Sequence, residues 1–162
     1  MTNLIEVPRG LKGVAAAETR IGDVRGNEGF YHYGPYNATS LARERSLEEV
    51  WFLVRTGRLP DDAELEGFSR LVAENRAIPP EVATVLPTVA RLASEDRPLE
   101  ALRSAYELFA LVKRYRTWID IDASTLDGQA LETAAVFAPI VIALYRLSRG
   151  EEPIEPRPDL GH

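Results

Sequence analysis

Between Ser46 and Arg149 the chain repeats one pattern: a residue that caps or opens a helix, then apolar side chains three and four positions apart. Ser46-Leu47-Glu48-Glu49 forms a capping box, and Leu47, Val50, Trp51 and Val54 follow at i, i+3, i+4 and i+7, with Gly57 to end the helix. Asp61-Asp62 places negative charge at the next helix start, and Leu65, Phe68, Leu71 and Val72 line one face as far as Asn75. Pro79-Pro80-Glu81 opens a third helix, which Pro87 is expected to break or kink. A fourth begins at Pro98 and carries Leu99, Leu102, Tyr106, Phe109 and Val112 to about Arg114. Tyr115 to Asp127 reads as a connection, and a last helix runs from about Gln129 to Arg149, stopped by Gly150. A period near 3.6 sustained over this length demands a mainly α fold whose helices bury their apolar faces on one another.

The flanks differ. Gly13 to Tyr33 alternates Ala15, Ala17, Thr19 and Ile21 with their neighbours and continues through Gly26-Asn27-Glu28-Gly29 into the aromatic run Phe30 to Tyr33, which predicts a small β-hairpin over about 13–33. Helices are then expected over about 38–150. The tail, 151–162, is rich in proline and has no capacity for regular hydrogen bonding. The expectation is a single domain spanning 1–162.

Charge and composition exclude several functions. Acidic residues outnumber basic ones 25 to 19, a balance unsuited to neutralising phosphates along nucleic acid. With no cysteine and two histidines, His32 and His162, the chain has no disulfide, thiolate or sulfur-ligated zinc, and no metal site is expected. Asp120, Asp122 and Asp127 lack the glycine and final glutamate of a calcium loop and read as solvated carboxylates. Glu48, Glu49 and Glu64 sit in first turns, where negative charge stabilises a helix. No glycine spacing matches a phosphate loop. The apolar run Ala134 to Tyr145 contains Pro139 and is shorter than the roughly twenty residues a membrane crossing needs, so it reads as a buried helix. Met1 to Pro8 contains Glu6 and lacks the basic start and continuous apolar core of a signal peptide, so the expected location is cytoplasmic.

Four stretches, in order, give the chain a family likeness. Gly10-Leu11-Lys12-Gly13-Val14-Ala15-Ala16-Ala17-Glu18-Thr19-Arg20-Ile21 resembles the Gly-Leu-x-Gly-Val-x-Ala-x-Glu-Thr opening of the citrate synthase and 2-methylcitrate synthase family. Tyr33-Gly34-Pro35-Tyr36-Asn37-Ala38-Thr39-Ser40-Leu41-Ala42 is similar to its Tyr-Arg-Gly-Tyr-x-Ile-x-x-Leu-Ala motif, with Gly34-Pro35 replacing Arg-Gly, a change that removes an anion-binding side chain and stiffens the turn. Ser46 to Val50 with Gly57-Arg58-Leu59-Pro60 resembles the family's Ser-Phe-Glu-Glu-Val helix and Gly-x-Leu-Pro exit. Tyr145-Arg146-Leu147-Ser148-Arg149-Gly150 and Pro156-Arg157-Pro158-Asp159-Leu160 resemble its Tyr-Arg-Leu-Ser-Arg-Gly and Pro-x-Pro-Asp-Leu-Ser-His stretches.

The resemblance implies the N-terminal part of a multi-helical large domain, in a family whose complete members are more than twice as long and hold two catalytic histidines and a catalytic aspartate beyond the part matched here. It therefore implies a component of an enzyme condensing an acyl-CoA with oxaloacetate, without catalytic residues of its own and without a cofactor, to which a CoA thioester would be substrate once a complete site is assembled. His32, between Tyr31 and Tyr33, reads as a strand residue, and His162 matches a histidine before the family's next helix. Arg9, with Lys12 nearby, corresponds to a basic residue that in some members approaches the CoA phosphates, which suits a guanidinium. The alternatives are a non-catalytic helical interaction module derived from such an enzyme, or a piece of a complete one. Each implies a cover for the apolar surface of Pro98 to Arg114 and Gln129 to Arg149, where Leu102, Tyr106, Phe109, Val136, Phe137, Ile140 and Leu144 outnumber what the other helices can bury: a homo-oligomer or a separate catalytic-half polypeptide.

Overall fold

A computed structural model describes residues 10, 13–15, 17–94 and 96–162. These fall into two compact units divided between Leu59 and Pro60.

The first unit carries a three-stranded antiparallel sheet, β1 Gly22–Arg25, β2 Phe30–Tyr33 and β3 Tyr36–Asn37, followed by helices α1 Ala38–Glu44 and α2 Leu47–Thr56. β1 and β2 pair with Gly22 opposite Tyr33 and Arg25 opposite Phe30, across a 3-10 turn Gly26–Glu28 closed by left-handed Gly29 (φ 62°). The hairpin is therefore shorter than its sequence pattern: among the described residues of 13–21 there is no strand, because Ala15 and Ala17 are exposed and give the alternation no apolar face to bury. A third strand, too short to show a period, returns through Gly34 (φ 52°) and pairs Tyr36 with Tyr33. A Cβ placed on Gly22 would lie 2.0 Å from the His32 carbonyl oxygen, so the strands meet there only because the side chain is absent.

Asn37 caps α1 by accepting from the Thr39 and Ser40 amides. α2 has the full capping box, Ser46 accepting from the Glu49 amide at 3.2 Å and Glu49 from the Ser46 amide at 2.7 Å, and it ends on left-handed Gly57. The Ser46 amide bond, foremost, holds the Glu49 carboxyl below its ordinary pKa. Its buried face differs from the spacing: Leu53 and Glu48 are buried, whereas Leu47 and Val54 remain exposed.

The second unit is helical: α3 Asp62–Glu74, α4 Pro80–Ala93, α5 Pro98–Val112, α6 Ala123–Ala135 and α7 Phe137–Ser148. α3 begins with a second capping box, Asp61 with Glu64. α4 runs through Pro87 unbroken. Pro87 has no N–H to give the Ala83 carbonyl, but both residues lie on the exposed face, where that oxygen is not shut away from solvent. α4, α5 and α7 meet in the core through Val82, Leu86, Ala90, Ala105, Phe109 and Ile140, the alanines letting the helix backbones approach closely.

The end of α5 departs from expectation. Arg114, at φ 55°, takes the left-handed position after the helix, with its amide on the Leu111 carbonyl and the Tyr115 amide on the Ala110 carbonyl, a Schellman motif built without glycine. A 3-10 turn, Trp118–Asp120, follows, and α6 then starts at Ala123 rather than Gln129 because the Asp122 carboxylate accepts from the Thr125 amide at 2.7 Å. The expected single last helix is two, divided at Val136; Pro139 falls in the first turn of α7, where a missing N–H is tolerated. Together α6 and α7 span 26 residues, long and apolar enough to cross a membrane by length and composition alone. Leu131, Ala135, Val136, Ile140, Ala143 and Leu144 on these helices are buried by protein. α7 ends on a second Schellman motif with Gly150 (φ 74°) in the left-handed position. The tail after it has no regular secondary structure.

Candidate functional site

Arg9 and Lys12 lie outside the described residues. His32 sits in β2, half-buried, its Nδ1 2.6 Å from the Gly34 carbonyl and its Nε2 4.0 Å from an Asp23 carboxylate oxygen; it is tied into the sheet turn. His162 is half-buried. Asp120 accepts the Thr117 hydroxyl at 2.8 Å, while Asp122 caps α6 and has its pKa lowered first by the Thr125 amide. Among the described residues no three His, Cys, Asp or Glu side chains are grouped to hold a metal.

The second unit instead presents two contrasting surfaces. Where the chain reverses after α5, Tyr115 stacks edge-on against Phe109, ring centres 5.7 Å apart, and donates its hydroxyl to Glu132 of α6 at 2.6 Å. Lys113 reaches the same carboxylate oxygen at 2.8 Å. Burial alone would raise the Glu132 pKa, but the hydrogen bonds from Lys113 and Tyr115, with the Lys113 charge, outweigh it and leave the carboxyl below its ordinary range. Burial first, then the Glu132 carboxylate, pushes the Tyr115 phenol up. Tyr106, raised to about 12 by burial, donates to the Thr133 carbonyl at 3.0 Å. Every polar group named here has a partner.

On α4, α5 and α7 there is also an open groove of about 530 Å³, lined by Leu99, Leu102, Phe137, Val141 and Tyr145 with Arg149 at its rim. Leu99 is 70% exposed, Tyr145 59% and Phe137 49%. The excess apolar surface of these helices is thus carried by a different set than the spacing suggests: Phe109, Val136, Ile140 and Leu144 are buried in the unit's own core, and Leu102 and Tyr106 are half-buried. Of the seven apolar residues singled out by sequence, Phe137 remains exposed.

The family model described as citrate synthase, C-terminal domain, matches residues 10–162. The chain is 30% identical over 158 residues to the citrate synthase of Haloferax volcanii, covering 97% of this chain and 41% of that one. It is also 30% identical over 157 residues to the 2-methylcitrate synthase of Mycobacterium tuberculosis H37Rv, covering 97% and 38%. The crystal structure of citrate synthase from Pyrobaculum aerophilum superposes with a TM-score of 0.73 at 30% identity, over 92% of this chain and 38% of that one. The chain therefore spans about two-fifths of the length of these relatives, and it belongs to the citrate synthase family.

Proposed function

We propose that this chain is a citrate synthase-like component that contributes helical structure to a condensation of an acyl-CoA with oxaloacetate and acquires activity only with a polypeptide carrying the catalytic residues. The chemistry requires a carboxylate to take a proton from the acyl α-carbon, a histidine to stabilise the enol that forms, and a second histidine to polarise the oxaloacetate carbonyl. His32 is engaged in the sheet turn, at the Gly34 carbonyl and near the Asp23 carboxylate, and no second histidine is among the contacts given above. Arg9 is the residue of this chain assigned to the CoA phosphates in the assembled enzyme, and no metal or further cofactor is invoked. The cover is a catalytic-half polypeptide or a second copy of the chain, and the working compartment is the cytoplasm.

The observation that carries this reading is the exposed apolar lining of the groove on α4, α5 and α7. A thiol-release assay with acetyl-CoA, propionyl-CoA and oxaloacetate tests it. The chain alone is expected to give no heat-sensitive turnover above a blank, and light scattering is expected to show it associated. Turnover by the isolated chain, or a strictly monomeric chain without affinity for a polypeptide supplying the two histidines and the aspartate, would sink the proposal.

A further inference from the structure

The tail holds three prolines between Glu151 and Leu160, Pro153, Pro156 and Pro158, and each removes a backbone donor. Segments of this kind leave carbonyls without a ladder to join. Here two arginines from the helical part of the same unit supply the donors. At the start, Arg146 of α7 donates Nε to the Glu152 carbonyl at 2.5 Å and pairs through Nη1 with Glu151 at 2.9 Å. At the end, Arg76, which follows the Asn75 cap of α3 and is 6% exposed, donates Nη1 to the Leu160 carbonyl at 2.7 Å and to the Arg157 carbonyl at 3.5 Å. Within the tail, Arg157 grips Asp159 bidentately at 2.5 and 3.1 Å, across a turn in which the Leu160 amide reaches the Arg157 carbonyl at 3.4 Å.

Burying a guanidinium is costly without good hydrogen bonds, so a buried arginine aimed at backbone carbonyls more than eighty positions away in sequence is a specific constraint. We infer that Arg76 and Arg146 are the two clasps of a strap: they hold Glu151 to Leu160 along the second unit on a path set by the ends of α3 and α7, with the strap contributing backbone carbonyls. Arg76 is the decisive clasp, because its Nη1 bonds tie the far end of the strap to the end of α3. The Arg157–Asp159 pair is exposed and shapes the local turn without fixing the strap to the body. This inference stands apart from the proposed function and holds for the chain by itself.

The absence of cysteine allows a direct test. A nitroxide is attached to Gly161→Cys in the full chain, and its electron paramagnetic resonance spectrum is recorded with circular dichroism as the control for folding. The parent is expected to give a broad, motionally restricted line; Arg76→Met is expected to give a narrow, mobile one, Arg76→Lys an intermediate, and Arg157→Ala the parent spectrum. If Arg76→Met fails to fold, inserting one glycine between Pro158 and Asp159 displaces the Leu160 carbonyl without touching a helix, and it too should narrow the line. A mobile label in the folded parent, a restricted label in folded Arg76→Met or in the insertion variant, or mobility in Arg157→Ala equal to that in Arg76→Met would overturn the inference.

Discussion

α5 and α7 each have an inner side and an outer side, and the two sides obey different rules. Inward, Phe109 and Ile140 are buried in the unit's core, where side chains are closely packed. Outward, Leu99, Phe137 and Tyr145 are just as apolar and stand in solvent. A hydrophobic side chain stabilises a fold only if folding removes it from water, so apolar residues on one helix stabilise the unit on the inner side and add little to its stability on the outer.

The largest effect should come from the inner side. Ile140→Ala is expected to lower unfolding free energy by about 3 kcal/mol in urea denaturation, since it deletes enclosed carbons and leaves a cavity; a loss below about 1 kcal/mol would mean that the inner side is as loosely held as the outer. The two helix ends come next. Gly150→Ala should cost roughly 1 kcal/mol at its left-handed position, whereas Arg114→Gly should stabilise by about 0.5 kcal/mol, the relief of left-handed strain exceeding the greater freedom of an unfolded glycine. Thermal melts of the two variants should therefore move in opposite directions.

A pH titration sharpens the contrast further. The folded-state pKa of Glu132 is depressed, so its contribution is present above the ordinary glutamate pKa and is lost as pH falls through the lower folded value. Tyr115 is raised, so its contribution is complete below a phenol's ordinary pKa near 10 and declines as pH rises beyond it. Glu132→Gln should flatten the acid limb of the stability profile, read by denaturation at a series of pH values; an unchanged limb would remove Glu132 from the account. The smallest effect on stability belongs to the groove. Leu99→Ser with Phe137→Ser should alter monomer stability by only about 0.5 kcal/mol yet weaken association measured by light scattering. A large stability loss without a change in association would reverse the assignment of the two sides.

Helix starts at Leu47, Asp62 and Pro98 were legible because capping is local: a Ser or Asp meets its glutamate three residues on, and a proline opens a turn that needs no N–H. The start of α6 was hidden among several carboxylates, only one of which, Asp122, is aimed at the first turn. That α4 continues past Pro87 was not legible, because whether a proline ends a helix depends on where the freed carbonyl lies, which a one-dimensional pattern does not contain. The surplus of apolar residues on α5 and α7 was visible, but which of them stay outside depends on how α4 packs against both. Arg76 gave no signal, since its carbonyl partners are separated from it by more than half the chain.

Gly22 carries a consequence for how the sheet finds its pairing. A strand can slide along its neighbour by whole residues with little loss of backbone hydrogen bonding, so a short hairpin is open to misalignment. Here the place facing the His32 carbonyl admits a hydrogen atom and nothing larger. Sliding β1 by two residues, which keeps each side chain on its own face, would bring the Cβ of Arg20 or Val24 to that place, and the collision would reject the shifted pairing before it could settle. The missing side chain works as a gauge, passing one alignment of β1 and β2 and refusing its neighbours.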